Sequence, residues 1–415
     1  MTNSHGPPVF PKLRSLDPQL VEVQGEHLIY LRDPLRLSDK AVLVPRELAP
    51  LLALCDGTRD ADGLRTSLAL RTGLQLSTAR IVELLEGLDG ALVFENGSYE
   101  QALADALKAY READHRKPSH ADMVYPSDPE ALRAKLDEYC AKSPGVNGAS
   151  TKTLLGVVSP HIDYERGWAT YAQLWKRCAG AIEDIELVII LGTDHAGDLG
   201  TVTPTRQSYT TPLGLLPTDV DVVDGLANVL GEERAFAEEL HHVSEHSIEL
   251  AAVWLQYFLG GRTCPVVPVL CGSFHHIVTG VAEEADSDTL HATVDYLRSV
   301  ISNRRTLVIA AGDLAHVGPV FDDPGAIDSL GRTDLSVQDA RSIQAIRDGD
   351  AERFLSLSRD EQDARKICGL PPIYLALRLM DGVKGELLDY AQCPADVDGG
   401  SLVSIAGMAL WSDVP

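Results

Sequence analysis

LLGVVSPHIDY, Leu154 to Tyr164, carries the pattern from which the architecture can be read. Its apolar part is short, aliphatic and β-branched, and it stops at Ser159-Pro160-His161. A run of that length reads as a strand buried on both faces, and the helical pattern after it reads as a crossover. Two further stretches repeat the plan: LVIILGTDH ends in Thr193-Asp194-His195, and LVIAAGDLAH ends in Asp313 and His316. The alternation predicts an α/β fold with a central, largely parallel sheet flanked by helices. In such sheets ligands bind beyond the carboxyl ends of the strands. His161, His195 and His316 are therefore expected on one edge, the first two leaving neighbouring strands.

Beyond these three runs, the same alternation fills residues 151–415. Strands are predicted at 154–158, 187–192, 266–271, 307–312, 386–391 and 402–409, with helices at 167–181, 219–230, 246–259, 282–302, 335–348 and 372–381. Residues 10–112 form a self-contained block. It holds a strand pair in VEVQGEHLIYLRDP, a short strand AVLVP, three helices of which the last has Ser77 as N-cap, and a closing hairpin in ALVFENGSYEQ around an Asn-Gly turn. That order predicts a small α+β winged-helix-like domain. Residues 113–150 are charged, with proline and glycine at both ends, and are predicted to be a linker carrying one solvated helix, PEALRAKLDEYCA.

With 415 residues the chain exceeds the size at which a single core stops growing, which agrees with two domains. The 36 basic and 61 acidic residues give a net charge of -25, so nucleic acid and anionic membranes would be repelled. MTNSHGPPVFPKLRSL lacks the charged and apolar regions of a secretion signal, and no apolar run reaches transmembrane length; a cytoplasmic location is expected. The 7 cysteines are scattered without CxxC spacing and read as reduced thiols.

A lone histidine in such a chain is more often a hydrogen-bonded structural residue than a ligand, but two at equivalent strand ends shift the reading to a site. Pro160 holds its predecessor extended and so presents His161, while small residues around His195 admit a ligand. Cys368, in KICGLPPI, lies on a loop leading into a helix, where backbone N–H groups favour a thiolate, although taken alone it reads as an inert buried cysteine. His246 and Glu249 stand three apart at a helix start, spaced for a carboxylate to orient an imidazole base. Asp313 and His316 are read as an acid/base pair, as residues supporting a bound metal, or as a purely structural network. Cys271 with His275 and His276 looks ligand-like in composition but reads as strand packing.

SPHIDY, LGTDH, SEHSIEL, VVPVLCG, AGDLAHVG, KICGLPPI, YAQC and SLVSIAGMAL, in this order, resemble the signature segments of the Memo-like family, also called AmmeMemoRadiSam system protein B. The resemblance covers roughly residues 150–412. It implies a fold similar to class III, LigB-type extradiol dioxygenases and a metal pocket formed by His161, His195 and Cys368. It tips Asp313 and His316 toward that pocket, and it implies radical-SAM and AMMECR1-like system partners. The block over residues 10–112 resembles PqqD-like domains in its order of elements. Two departures stand out: Asp163 follows His161 where relatives carry HAGY, and TDHA replaces a double histidine.

Two imidazoles and a thiolate suit iron or copper, with zinc as the alternative. The expected activity is that of a metal-dependent, dioxygenase-related oxidoreductase acting on a small or peptide-borne substrate, with His246, Asp313 and His316 as catalytic residues. A metallohydrolase fits the same donors. A non-catalytic scaffold binding a phosphopeptide or partner is the alternative of another class.

Overall fold

The computed structural model describes residues 7–145, 152–283 and 287–412, which form two compact units, one ending at Glu112 and the other beginning at Ala113. In the first unit, strands β1 (Asp17–Val23), β2 (Glu26–Arg32) and β3 (Val42–Pro45) make an antiparallel sheet in that order. The β1–β2 turn puts Gln24 and Gly25 at φ 55° and 85°, the left-handed pair that matches strand twist. Helices α1 (Ala49–Leu54), α2 (Ala61–Thr72) and α3 (Thr78–Asp89) pack on it through Leu51, Leu64, Leu68, Ile81 and Leu85. Ser77 caps α3, as the sequence predicts, by accepting a bond from Arg80 N–H. The predicted closing hairpin is absent: Gly97–Glu112 is helix α4. Asn96 Oδ1 accepts the N–H groups of Ser98 and Tyr99 at 3.0 Å each, so the Asn-Gly pair starts a helix instead of turning a hairpin.

The second unit begins with Ala113. Helix α5 (Pro129–Lys142) starts on an Asp128 cap with Pro129 in its first turn. It is not the solvated helix predicted, because Leu132, Leu136 and Tyr139 are buried in the same core as Tyr171 and Trp175. The boundary expected at residues 150/151 falls among residues 146–151, outside the described residues.

The main sheet starts with β4 (Leu154–Ser159), followed by α6 (Tyr164–Cys178) and β5 (Leu187–Thr193). Short strands β6 (Val202–Pro204), β7 (Tyr209–Thr211) and β8 (Gly214–Leu216) come next, then helices α7 (Val220–Leu230), α8 (Glu232–Ala235) and α9 (Ser247–Leu259). Strand β9 (Val266–Cys271) leads through α10 (His275–Val278) and α11 (Asp288–Ile301) to β10 (Thr306–Ala311) and β11 (His316–Val317). Helices α12 (Ser329–Asp348), α13 (Ala351–Asp360) and α14 (Leu370–Leu379) precede a closing hairpin of β12 (Val383–Pro394) and β13 (Leu402–Ser412).

The strand order is β11-β13-β4-β10-β5-β9-β6, with β12 on β13. β4, β10, β5 and β9 run parallel, and the outer strands are antiparallel. One finding corrects the sequence reading: β10 lies between β4 and β5, so His161 and His195 do not leave neighbouring strands. Successive residues of β5 serve opposite faces, Leu187, Ile189 and Leu191 packing with α7, α11 and α14, and Val188 and Ile190 with α6 and α9. Each such fully buried side chain contributes about 2 kcal/mol of transfer free energy. Among the described residues no helix is long and apolar enough to cross a membrane.

Candidate metal centre

The carboxyl ends of β4, β10 and β5 meet at one edge, and a glycine near the end of β5 and another just past β10 let neighbouring segments close in on it. A side chain at Gly312 would come within 2.4 Å of Gly369 Cα, so only glycine lets the Cys368–Gly369 loop reach the end of β10. A side chain at Gly192 would strike Ile248 and Ser247 at 2.6 Å, so the start of α9 also abuts the sheet there.

His161, 2% exposed, is fixed by three contacts. Its backbone N–H donates to Asp313 Oδ1 at 2.9 Å, its Nδ1 lies 3.1 Å from the Ala311 carbonyl oxygen, and Cys368 Sγ lies 3.2 Å from its Nε2. A carbonyl only accepts, so Nδ1 carries the proton and Nε2 the lone pair. Burial, with the neighbouring His195 and His246, pushes this imidazole well below its usual pKa and keeps it neutral.

His195 and His246 are held by one carboxylate. Glu245 Oε2 accepts from His195 N–H at 3.1 Å and from His195 Nδ1 at 2.9 Å. Oε1 accepts the N–H groups of His246 and Ser247 at 2.7 and 2.9 Å and lies 3.1 Å from His246 Nδ1. The two rings stack with centroids 4.8 Å apart, and each stands 5.1 Å from the His161 ring, nearly edge-on. One nitrogen from each of the three lies within 4.8 Å of the others. Burial works against charge at both His195 and Glu245, yet their mutual attraction wins: His195 is held well above its usual pKa and Glu245 well below. With side chains 39% and 32% exposed, His195 and His246 form the open side of the cluster.

The sequence-predicted residues therefore fall into groups. His161, His195 and Cys368 come together, and His246 joins them. Its orienting carboxylate is Glu245, whereas Glu249, the predicted partner, faces away to Arg116, Tyr125 and the N–H groups of Ser119 and His120. Burial pushes the Cys368 thiol up, so without a cation it is not the thiolate that its place before α14 suggests. Asp313 and His316 do not pair with each other. Asp313 serves His161, and burial raises it to about 7; His316 Nδ1 lies 3.2 Å from the Leu314 carbonyl oxygen, and burial with the charge of His195 lowers it to about 4. Asp163 is no extra pocket carboxylate, since it caps α6 and binds Arg166. Cys271 is 1% exposed in the core, and His275 pairs with Asp363.

Three contributors escape the sequence reading. Glu245 is the pivot of two imidazoles. Arg116 and His120 come from the segment predicted as linker, and the His120 ring stands 5.5 Å from that of His246. A second group with metal-compatible spacing, Asp194, Glu238 and His241, lies beside the first in sequence, with His241 Nδ1 donating to Asp194 at 2.9 Å.

Comparison with known proteins agrees with this fold. A family model described as Memo-like protein matches residues 116–409, and the chain belongs to that family. A MEMO1 family protein of Methanopyrus kandleri is 31% identical over 297 residues, which are 68% of this chain and 94% of that protein. A MEMO1 family protein of Aquifex aeolicus is 26% identical over 408 residues, covering 97% of this chain and all of the relative.

Proposed function

We propose that the chain is a metal-dependent oxidoreductase, related to dioxygenases, that acts on a small or peptide-borne substrate. His161, His195 and Cys368 would hold one iron or copper ion, with His246 as a further donor. The observation that carries this reading is the commitment of every Nδ1. His161 gives its Nδ1 proton to Ala311, and the Nδ1 atoms of His195 and His246 face Glu245, so each Nε2 is left for a cation, which would displace the second proton that Glu245 favours on His195. Anchoring the far nitrogen is how proteins orient imidazoles toward a cation. The donor set fits the group, because imidazole with thiolate selects iron, copper or zinc over magnesium or calcium.

When bound, such an ion would supply electron transfer or Lewis acidity to a substrate entering on the His195–His246 side. The protein's own part is orientation. Glu245 fixes two rings, Asp313 fixes the His161 backbone, and the buried β4 and β10 ends keep water from the inner side of the pocket. Elemental analysis of protein purified without chelators, with oxygen uptake followed on candidate substrates, tests the proposal. Bound iron or copper with oxygen consumption is expected. Zinc with hydrolytic turnover would replace it by a hydrolase, and a chain without metal would refute it.

A further inference from the structure

Glu245 sets two of the three imidazoles, but Glu245 itself sits in a turn. The last turn before it is the short 3-10 helix Glu239–Val243, and the first helical bond of α9 runs from Leu250 N–H to the His246 carbonyl. The Glu245 carbonyl therefore lies outside the helical ladder. Its partner is Arg116. That guanidinium donates through Nε to the His242 carbonyl at 2.8 Å and through Nη2 to the Glu245 carbonyl at 2.9 Å, while Nη1 pairs with the Glu249 carboxylate. One side chain thus holds the backbone before the turn and at the turn, and a carboxylate one helical turn beyond it.

Arg116 is itself rigid. It is 2% exposed, its guanidinium lies over the Tyr209 ring at 4.8 Å, and its backbone bonds to Ser208 and Thr210. A planar fork with several fixed donors can hold two carbonyls and a carboxylate together, whereas an ammonium cannot hold all three in that geometry. We infer that Arg116 is a positioning residue of the metal centre, acting through the Glu245 carbonyl to set the carboxylate that orients His195 and His246. This rests on the metal-centre reading above.

The test uses cobalt(II) as probe on the full chain, reading affinity and the visible spectrum, with thermal unfolding of the metal-free protein as the control for folding. Arg116→Lys keeps a charge for Glu249 but loses the double carbonyl grip. Glu249→Gln keeps the grip and loses the charge pair. The expected result is that Arg116→Lys weakens cobalt binding at least tenfold and shifts the spectrum, while Glu249→Gln binds as the unaltered protein does. If the lysine variant does not fold, the neutral double variant R116Q/E249Q is compared with E249Q, and weaker binding by the double variant is expected. Equal affinity and spectrum in Arg116→Lys and the unaltered protein, or in the double variant and E249Q, overturn the inference while leaving the metal centre in place. Equal loss in Arg116→Lys and Glu249→Gln also overturns it, since the ion pair and not the carbonyl grip would then matter. No cobalt binding by the unaltered protein removes the metal centre and this inference together.

Discussion

Glu245 grips His195 twice, at the backbone N–H and at Nδ1, with one carboxylate oxygen, and its other oxygen does the same for the adjacent His246. A glutamine there offers an acceptor on one side and an N–H donor on the other, so one histidine must lose its partner. Glu245→Gln should stay folded yet bind a transition metal about 10–100-fold more weakly. Competition against a chelator of known affinity measures this, and unchanged affinity would refute the orienting role.

Asp313 and His316 should be separable. Asp313, raised to about 7 by burial, is a carboxylate above that pH and protonated below it. A turnover that needs its charged form rises through pH 7. Asp313→Asn, which still accepts the His161 N–H, should remove that limb from the pH–rate profile. His316→Gln should leave metal content and thermal midpoint close to those of the unaltered protein while changing turnover. Unfolding of one of these variants would make that residue structural and leave the other's role to its own variant.

Much of this architecture is legible in the sequence, and the reasons for what is not are physical. The parallel strands show because a strand buried on both faces must be a short aliphatic run, and the histidines show because they end such runs. The insertion of β10 between β4 and β5 does not show, since sheet order is set by long-range packing that leaves no local pattern. Asn96 misleads because the same side-chain oxygen serves a turn or a helix cap. Helical spacing points from His246 to Glu249, but His246 precedes the helix, and there the adjacent Glu245 is the carboxylate within reach. Arg116 and His120 lie in a charged segment that reads as solvent-exposed, and their partner Glu249 stands about 130 residues away.

Stability should fall in acid through a group remote from the rings. His242 is fully buried, its Nε2 donating to the Thr203 carbonyl and its Nδ1 accepting from Tyr209 OH. Burial lowers it from 6.5 to about 3. Below pH 6.5 the unfolded chain takes up a proton that the folded chain refuses, so stability present above that pH is lost as pH falls toward 3. The full loss is on the order of 5 kcal/mol by the free energy of a pKa unit. Glu249 adds to it in the same direction: although burial opposes its charge, Arg116 holds it well below the usual range. Urea unfolding at about pH 7 and about pH 4 measures the slope, and His242→Gln should flatten it. A variant with an undiminished slope would place the acid sensitivity elsewhere.

The boundary between the units is testable by fragments. A chain starting at Ala113 retains Arg116 and Tyr125 for the buried Glu249 carboxylate; one starting at residue 151 leaves that charge unpaired. Stranding one partner of a buried pair costs about 3–5 kcal/mol. The longer fragment should fold cooperatively and the shorter one should not, as seen by circular dichroism melting. A stable fragment from residue 151 would restore the linker reading of residues 113–150.

The decisive measurement is metal stoichiometry across alanine variants, made by elemental analysis after loading with iron, copper or zinc in turn. The account predicts one ion per chain in the unaltered protein, near-complete loss in His161→Ala, His195→Ala and Cys368→Ala, marked weakening in His246→Ala, and full retention in Cys271→Ala and His276→Ala. Retention by Cys368→Ala together with loss by Cys271→Ala, or no metal in the unaltered chain, would contradict it.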